Sequence, residues 1–190
     1  MENNLVIEHR EPKSPLSMDP KKFAFWIFLG TIVMLFMSLT SAYLVKRSDG
    51  EWLLFRLPTV LYLTTLVIAA SSFVLQLGYR YSERKGVFRI SLLVTMALGI
   101  VFLAGQFYAW KDLVQHNVYL VGNAAGSFVY VITGLHGLHI ISAVIVLAFM
   151  LFSHRNSNPK EVRSFKLGLV YWHFLGILWI YLLVFFILFR

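Results

Sequence analysis

The chain has 190 residues, 58% hydrophobic and 14% charged, with 17 Lys and Arg against nine Asp and Glu for a formal net charge of +8. A soluble domain carries about 25% charged residues, so the short charged clusters between long neutral runs exclude a water-soluble globule and point to a single membrane bundle. The absence of cysteine excludes disulfides, iron–sulfur clusters, thiolate zinc sites and cysteine nucleophiles, and the cations flank apolar runs, where they meet anionic lipid head groups rather than nucleic acid.

Residues 1–22 form a polar tail ending in Asp19-Pro20-Lys21-Lys22, with no apolar stretch near Met1 of the kind a secretory signal needs. Five neutral runs follow, at 23–45, 57–79, 90–110, 127–153 and 167–189. Each reaches the roughly 20 residues that span the hydrocarbon. Helix is the expected form, because lipid offers no partner to an open backbone. The first run carries the small residues Gly30, Ser38, Ser41 and Ala42, suited to close helix contact. The second starts at Pro58, where a helix tolerates proline. In the third, Gly99 and Gly105 flank Phe102. Gln115, His116, Asn117, Gly122, Asn123 and Gly126 then crowd a surface loop. The fourth run holds Thr133, Gly134, Gly137, Ser142 and Ala143 around His136 and His139, and the fifth opens behind Arg163 and Lys166. Trp52, Trp110 and Tyr119 stand near span ends, where aromatic residues anchor at the interface.

The expected fold is an all-α membrane protein, a five-helix up-down bundle in which short loops make sequence neighbours pack together. One set of ends collects twelve cations: Arg10, Lys13, Lys21, Lys22, Arg80, Arg84, Lys85, Arg89, Arg155, Lys160, Arg163 and Lys166. The other collects five: Lys46, Arg47, Arg56, Lys111 and Arg190. The positive-inside rule then puts the N-terminus in the cytoplasm and the C-terminus outside, on the periplasmic side.

Intramembrane ionisable residues mark ion paths and proton relays. All nine carboxylates (Glu2, Glu8, Glu11, Asp19, Asp49, Glu51, Glu83, Asp112 and Glu161) fall in the tail or in loops. With no proline in mid-run and no pair of equal halves, a free-standing transporter is disfavoured. Three histidines do lie in spans. His136 and His139 share a helix face, and imidazole is a common haem, copper and zinc ligand. His173 lies about 9 Å from its helix end while His139 lies about 21 Å from the same side, at 1.5 Å per residue. That mismatch of about 12 Å argues against one shared metal. Hydrogen bonds between helices or to lipid are the plainer use. Arg163 and Lys166 fit either a lipid phosphate or generic positive-inside charge.

These residues resemble subunit III of haem-copper terminal oxidases. The stretch from Ser127 to His139, with Thr133-Gly134, His136-Gly137 and His139, is similar to the family's S-x-F-x-x-x-T-G-x-H-G-x-H run. Tyr171-Trp172-His173-Phe174 with Trp179 is similar to Y-W-H-F-x-D-x-x-W, and Phe102, Gln106 and Trp110 to F-x-x-x-Q-x-x-E-[YW]. Larger members have seven helices, and this chain matches the last five. The resemblance implies a non-catalytic chain without haem or copper of its own. Its expected partners are catalytic subunit I and subunit II, which hold those cofactors, and further subunits where a respiratory supercomplex forms. It also implies bound phospholipid, support of proton uptake, and a bacterial inner (plasma) membrane. Arg163, Lys166 and His173 are the expected lipid contacts; Gly134, His136, Gly137, His139, Trp172 and Gln106 are the expected helix-packing or subunit contacts. Acids common in the family are replaced by Ile32, Ala109 and Gly176. A subunit-III-like accessory protein of a nitric oxide reductase is the nearest alternative.

Overall fold

The structure is a computed structural model that describes residues 20–48, 52, 55–153 and 163–189. Five helices account for nearly all of them: α1 (Pro20–Arg47), α2 (Val60–Arg80), α3 (Lys85–Gln115), α4 (Ala124–Ser153) and α5 (Arg163–Phe189). All five are long and apolar enough to cross a bilayer. Most of the expected polar tail lies outside the described residues, and its last three residues form the first turn of α1.

Four of the helices overrun the neutral runs because a backbone hydrogen-bond ladder continues until a side chain or turn replaces it, whereas α2 starts inside its run, with Pro58 just ahead of the N-cap Thr59. On α3 the overrun takes in Lys111 and Asp112, so Asp112 rides the last helical turn rather than a loop. The connection then starts at His116 and passes Asn117 at φ 60° and Gly122 at φ 115°. Asn123 ends it by accepting the Ala125 N–H at 2.8 Å, an N-cap for α4.

Helix directions follow from which residues meet. Thr64 lies by Gly105 and Ser91 by Gly78, so α2 and α3 are antiparallel. Phe102 and His136 pair α3 with α4, and His136 and Trp179 pair α4 with α5, again antiparallel. Trp179 meets Thr65 and Trp172 meets Ser71, which closes α5 onto α2. Helices α2 to α5 thus form a four-helix ring. α1 stands outside it, against α4 and α5, and has no contact with α2 among the described residues. The expectation that all sequence neighbours pack together therefore fails at α1–α2. The interior of the ring is already closed by α5, so α1 finds its apolar partners across the α4–α5 edge. Tyr43 pins it there, with rings of Trp52, Phe128, Phe185 and Phe186 at 4.6–6.1 Å.

Close approach within the ring rests on glycines other than the expected pair. A Cβ at Gly134 or Gly137 would meet its neighbours at 3.7 Å, ordinary contact, because the Trp110 and Leu103 side chains already hold α3 and α4 apart. Gly99 is different: a Cβ there would lie 2.7 Å from Trp172 and 3.2 Å from Val144. Gly105 and Gly78 are likewise filled by Thr64 and Ser91. Trp52 and Trp110 are half-buried and packed, Trp52 on Tyr43 and Trp110 on Thr133.

Gly99→Leu should lower stability by about 1–3 kcal/mol, the usual cost of overpacking. Gly30→Leu, on the open face of α1 with nothing within 4 Å, should leave the unfolding temperature of the detergent-solubilised chain unchanged. Equal unfolding temperatures for the two variants would contradict the packing described.

Candidate functional site

A hydroxyl has one donor and two lone pairs, whereas an indole only donates. The interior uses this asymmetry repeatedly. Thr65 donates to Leu61 O at 2.7 Å and accepts from Trp179 Nε1 at 2.9 Å. Ser71 donates to Ile68 O at 2.7 Å and accepts from Trp172 Nε1 at 3.1 Å. Thr133 donates to Val129 O at 2.7 Å and accepts from Trp110 Nε1 at 3.0 Å. In each case the hydroxyl satisfies itself in its own helix turn, and its lone pair receives an indole from another helix. Tyr171 on Ser142, at 2.7 Å, and Gln106 Nε2 on Thr64, at 3.5 Å, repeat the arrangement with a phenol and an amide.

His136 is the exception. It is fully buried, and neither ring nitrogen has a hydrogen-bond partner. Three rings enclose it: Trp179 stacked at 5.2 Å, Phe102 edge-on at 5.9 Å and Phe36 edge-on at 6.3 Å. Ring faces accept N–H groups weakly, so the cage suits an uncharged imidazole. Gln106 Oε1 is the neighbouring case of a buried atom with no partner.

The three span histidines have separate surroundings. His139 is half-buried, turns Nδ1 back to Leu135 O at 2.7 Å and packs on Phe36 at 5.6 Å. His173 bonds Gln76 Oε1 through Nε2 at 3.2 Å, on the outer side of the α2–α5 seam. His136 is level with Trp179, six residues along α5 from His173, which is about 9 Å. His139 lies three residues nearer the His173 end, so those two differ in depth by only about 4–5 Å and the expected mismatch of about 12 Å is largely absent. They are kept apart by facing, His139 onto Phe36 of α1 and His173 onto Gln76 of α2. Among the described residues no group of three His, Cys, Asp or Glu side chains could hold a metal.

The expected lipid contacts divide. An apolar groove of about 550 Å³ opens between α1, α4 and α5, walled by Phe25, Phe28, Val146 and Phe149, with Ser142 and Tyr171 as its polar floor. Lys166 is exposed two residues before the Gly168 that lines the groove, and Arg163 opens the same helix. His173 does not line it. Sequence reasoning did not find this groove, since it depends on α1 leaning on α4 and α5 rather than on α2. The positions where the family's acids are replaced, Ile32, Ala109 and Gly176, are all buried.

A sequence-family model described as "Cytochrome c oxidase subunit III" matches residues 18–190. A probable cytochrome c oxidase subunit 3 of Nocardia farcinica is 34% identical over 165 residues, covering 81% of this chain and 80% of the relative. The corresponding Mycobacterium tuberculosis protein is 33% identical with the same coverage. A probable quinol oxidase subunit 3 of Staphylococcus saprophyticus is 27% identical over 170 residues, 85% of each chain.

Removing one acceptor tests the indole–hydroxyl pairing. Thr65→Val keeps the shape but strands the Trp179 N–H, at a cost of about 1–3 kcal/mol. Thr65→Ser keeps the oxygen and should lose less than half as much. Thermal unfolding of the purified variants reads both, and equal losses would refute the hydrogen-bond account.

Proposed function

The chain belongs to the cytochrome c oxidase subunit III family, and from that membership we propose that it is a non-catalytic subunit which packs on the catalytic subunit I of a terminal oxidase, beside subunit II, in a bacterial plasma membrane. It is a subunit III of the haem-copper oxidase type. The names of its relatives favour an oxidase over a nitric oxide reductase, and they include both cytochrome c and quinol oxidases.

One observation carries the non-catalytic reading. The span histidines do not converge on one point: three rings enclose His136, His139 turns to the Leu135 carbonyl and His173 to Gln76. Redox cofactors then belong to the partner subunits. The orientation proposed is N-terminus in, C-terminus out, because the end that holds the start of α1 and the α2–α3 turn carries Lys21, Lys22, Arg80, Arg84 and Arg89.

The groove between α1, α4 and α5 supports a phospholipid role. Its walls suit an acyl chain, and Lys166 with Arg163 lies at the end where a phosphate would sit. In this reading the subunit supports electron transfer and proton uptake indirectly, by holding lipid and the catalytic subunit in place. Ile32, Ala109 and Gly176 leave it no carboxylate at those buried positions for direct proton transfer.

Purification through a tag on this chain, in mild detergent, should bring down a haem-bearing subunit in stoichiometric amount, with any supercomplex partners. Stoichiometric haem in the isolated chain would defeat the proposal. His136→Ala should weaken assembly or lipid retention while the fully assembled complex keeps its haem spectrum and most of its turnover. Abolished turnover in a complete, fully lipidated complex would contradict the packing role. Ile145→Trp, which fills the groove, should remove about one phospholipid per complex, counted by mass spectrometry, since a 550 Å³ groove holds little more than one chain.

A further inference from the structure

The flank of the ring away from α1 carries a polar seam. There Ser72 and Gln76 of α2 face Gly176 and His173 of α5. A Cβ at Gly176 would lie 3.3 Å from Ser72 Oγ, so the two helices are close. Ala69, exposed one turn along α2, continues the row of small residues. Ridges of exposed side chains border the seam, Leu66 and Phe73 on α2 and Ile177 on α5. Small residues in a shallow seam between ridges are the shape that admits another transmembrane helix.

The hydrogen-bonding of the seam says what that helix carries. Gln76 Oε1 only accepts, so His173 Nε2 donates to it at 3.2 Å. The imidazole Nδ1 is then an acceptor, and the Gln76 amide keeps its N–H donors. Both groups are open to the outside, about 6 Å inward of Arg80 and about 10 Å inward of Lys166 by helical rise. Phospholipid ester carbonyls reach this depth but only accept, so they leave Nδ1 without a donor. A side chain with both a donor and an acceptor satisfies the pair.

We propose that the α2–α5 seam docks a transmembrane helix of another oxidase subunit, which presents a hydroxyl, amide or protonated carboxyl side chain to Gln76 and His173. The proposal rests on the subunit III reading and assigns His173 to a protein contact rather than to lipid.

The chain has no cysteine, so single cysteines can be placed in it without background from this chain, and the unsubstituted complex labelled in parallel gives the background of the other subunits. Ala69→Cys and Ile177→Cys on the seam, and Phe107→Cys on α3 as reference, are introduced in the tagged, assembled oxidase and labelled with a thiol-linked benzophenone in the native membrane. The seam variants should crosslink to another subunit at least fivefold more than the reference, identified by mass spectrometry. Gln76→Leu should lower retention of this chain on washing the complex with detergent by about threefold, the average worth of one interhelical hydrogen bond in lipid. Gln76→Glu, which keeps the acceptor for His173 but removes the N–H donors that face the docked helix, should restore less than half of the loss; full restoration would overturn the proposed contact to the Gln76 amide. Crosslinks to phospholipid alone, or none above reference in a complex that retains haem and this chain, would overturn the docking while leaving subunit III membership intact. Failure to bring down any haem-bearing subunit would overturn both.

Discussion

A polar atom inside a bilayer has no water to bond, and the whole bundle is organised around that constraint. Serine and threonine meet it cheaply, by donating to a carbonyl of the preceding turn. Doing so leaves an oxygen lone pair facing the next helix. Trp110, Trp172 and Trp179 each place an indole on such an oxygen. The contacts are directional, so they fix the rotation of α5 against α2, and of α3 against α4, more tightly than apolar packing can in a solvent as apolar as the side chains. α5 supplies two of the three indoles, and half of its most apolar window is buried, the largest share of the five. It is the helix on which the others are set.

The same constraint explains what the sequence made legible. Neutral runs and charged clusters are properties of a segment alone, and they located five helices to within a few residues. Helix ends were less legible. Asp112 reads as a loop residue by charge, yet it sits in the last turn of α3, where its carboxylate can reach water while the backbone ladder continues. Pairing of helices was legible only where loops decide it. The α1–α2 connection is short enough for contact, but α5 already fills the α2 face that α1 would need.

The small residues show a related limit. Gly134 and Gly137 bracket a histidine in a motif, which suggests a tight face, whereas the glycines that admit a close neighbour are Gly78, Gly99 and Gly105 within the ring, with Gly126 against the Tyr119 carbonyl and Gly168 against Met150. A glycine's role depends on whether the opposing residue is large. Trp110 and Leu103 stand off from α4, while Trp172 runs directly under Gly99, and a single chain gives no spacing rule that tells the two apart. The depth of the histidines was only partly legible from rise per residue, since His139 and His173 differ by about 4–5 Å rather than about 12 Å; what separates them is the helix face each occupies. Their partners were not legible, because Gln76 is far away in sequence from His173 and Phe36 from His136.

His136 is where the interior departs from its own rule, with two buried nitrogens and no hydrogen bond. Leaving such a group unpaired costs about 1–3 kcal/mol, and three ring contacts at about 0.5–1.5 kcal/mol each are of a size to offset it. The buried Ile32 stands on α1 one turn from the Phe36 that touches both His136 and His139, at a position where the family resemblance leads to the expectation of an acid. A carboxylate buried at that level needs a partner or must be neutral, and an imidazole is one of the few groups able to supply either. With isoleucine there, α1 meets α4 at this level through rings and aliphatic contacts among the described residues. Hydrogen bonds tie it instead to α5, Thr40 with Tyr181 at 3.0 Å and Tyr43 to the Phe189 carbonyl at 3.3 Å. The helix is held by shape at Phe36 and Tyr43 rather than by charge, which accounts for a seat on the ring edge that leaves the groove toward α4 and α5 open.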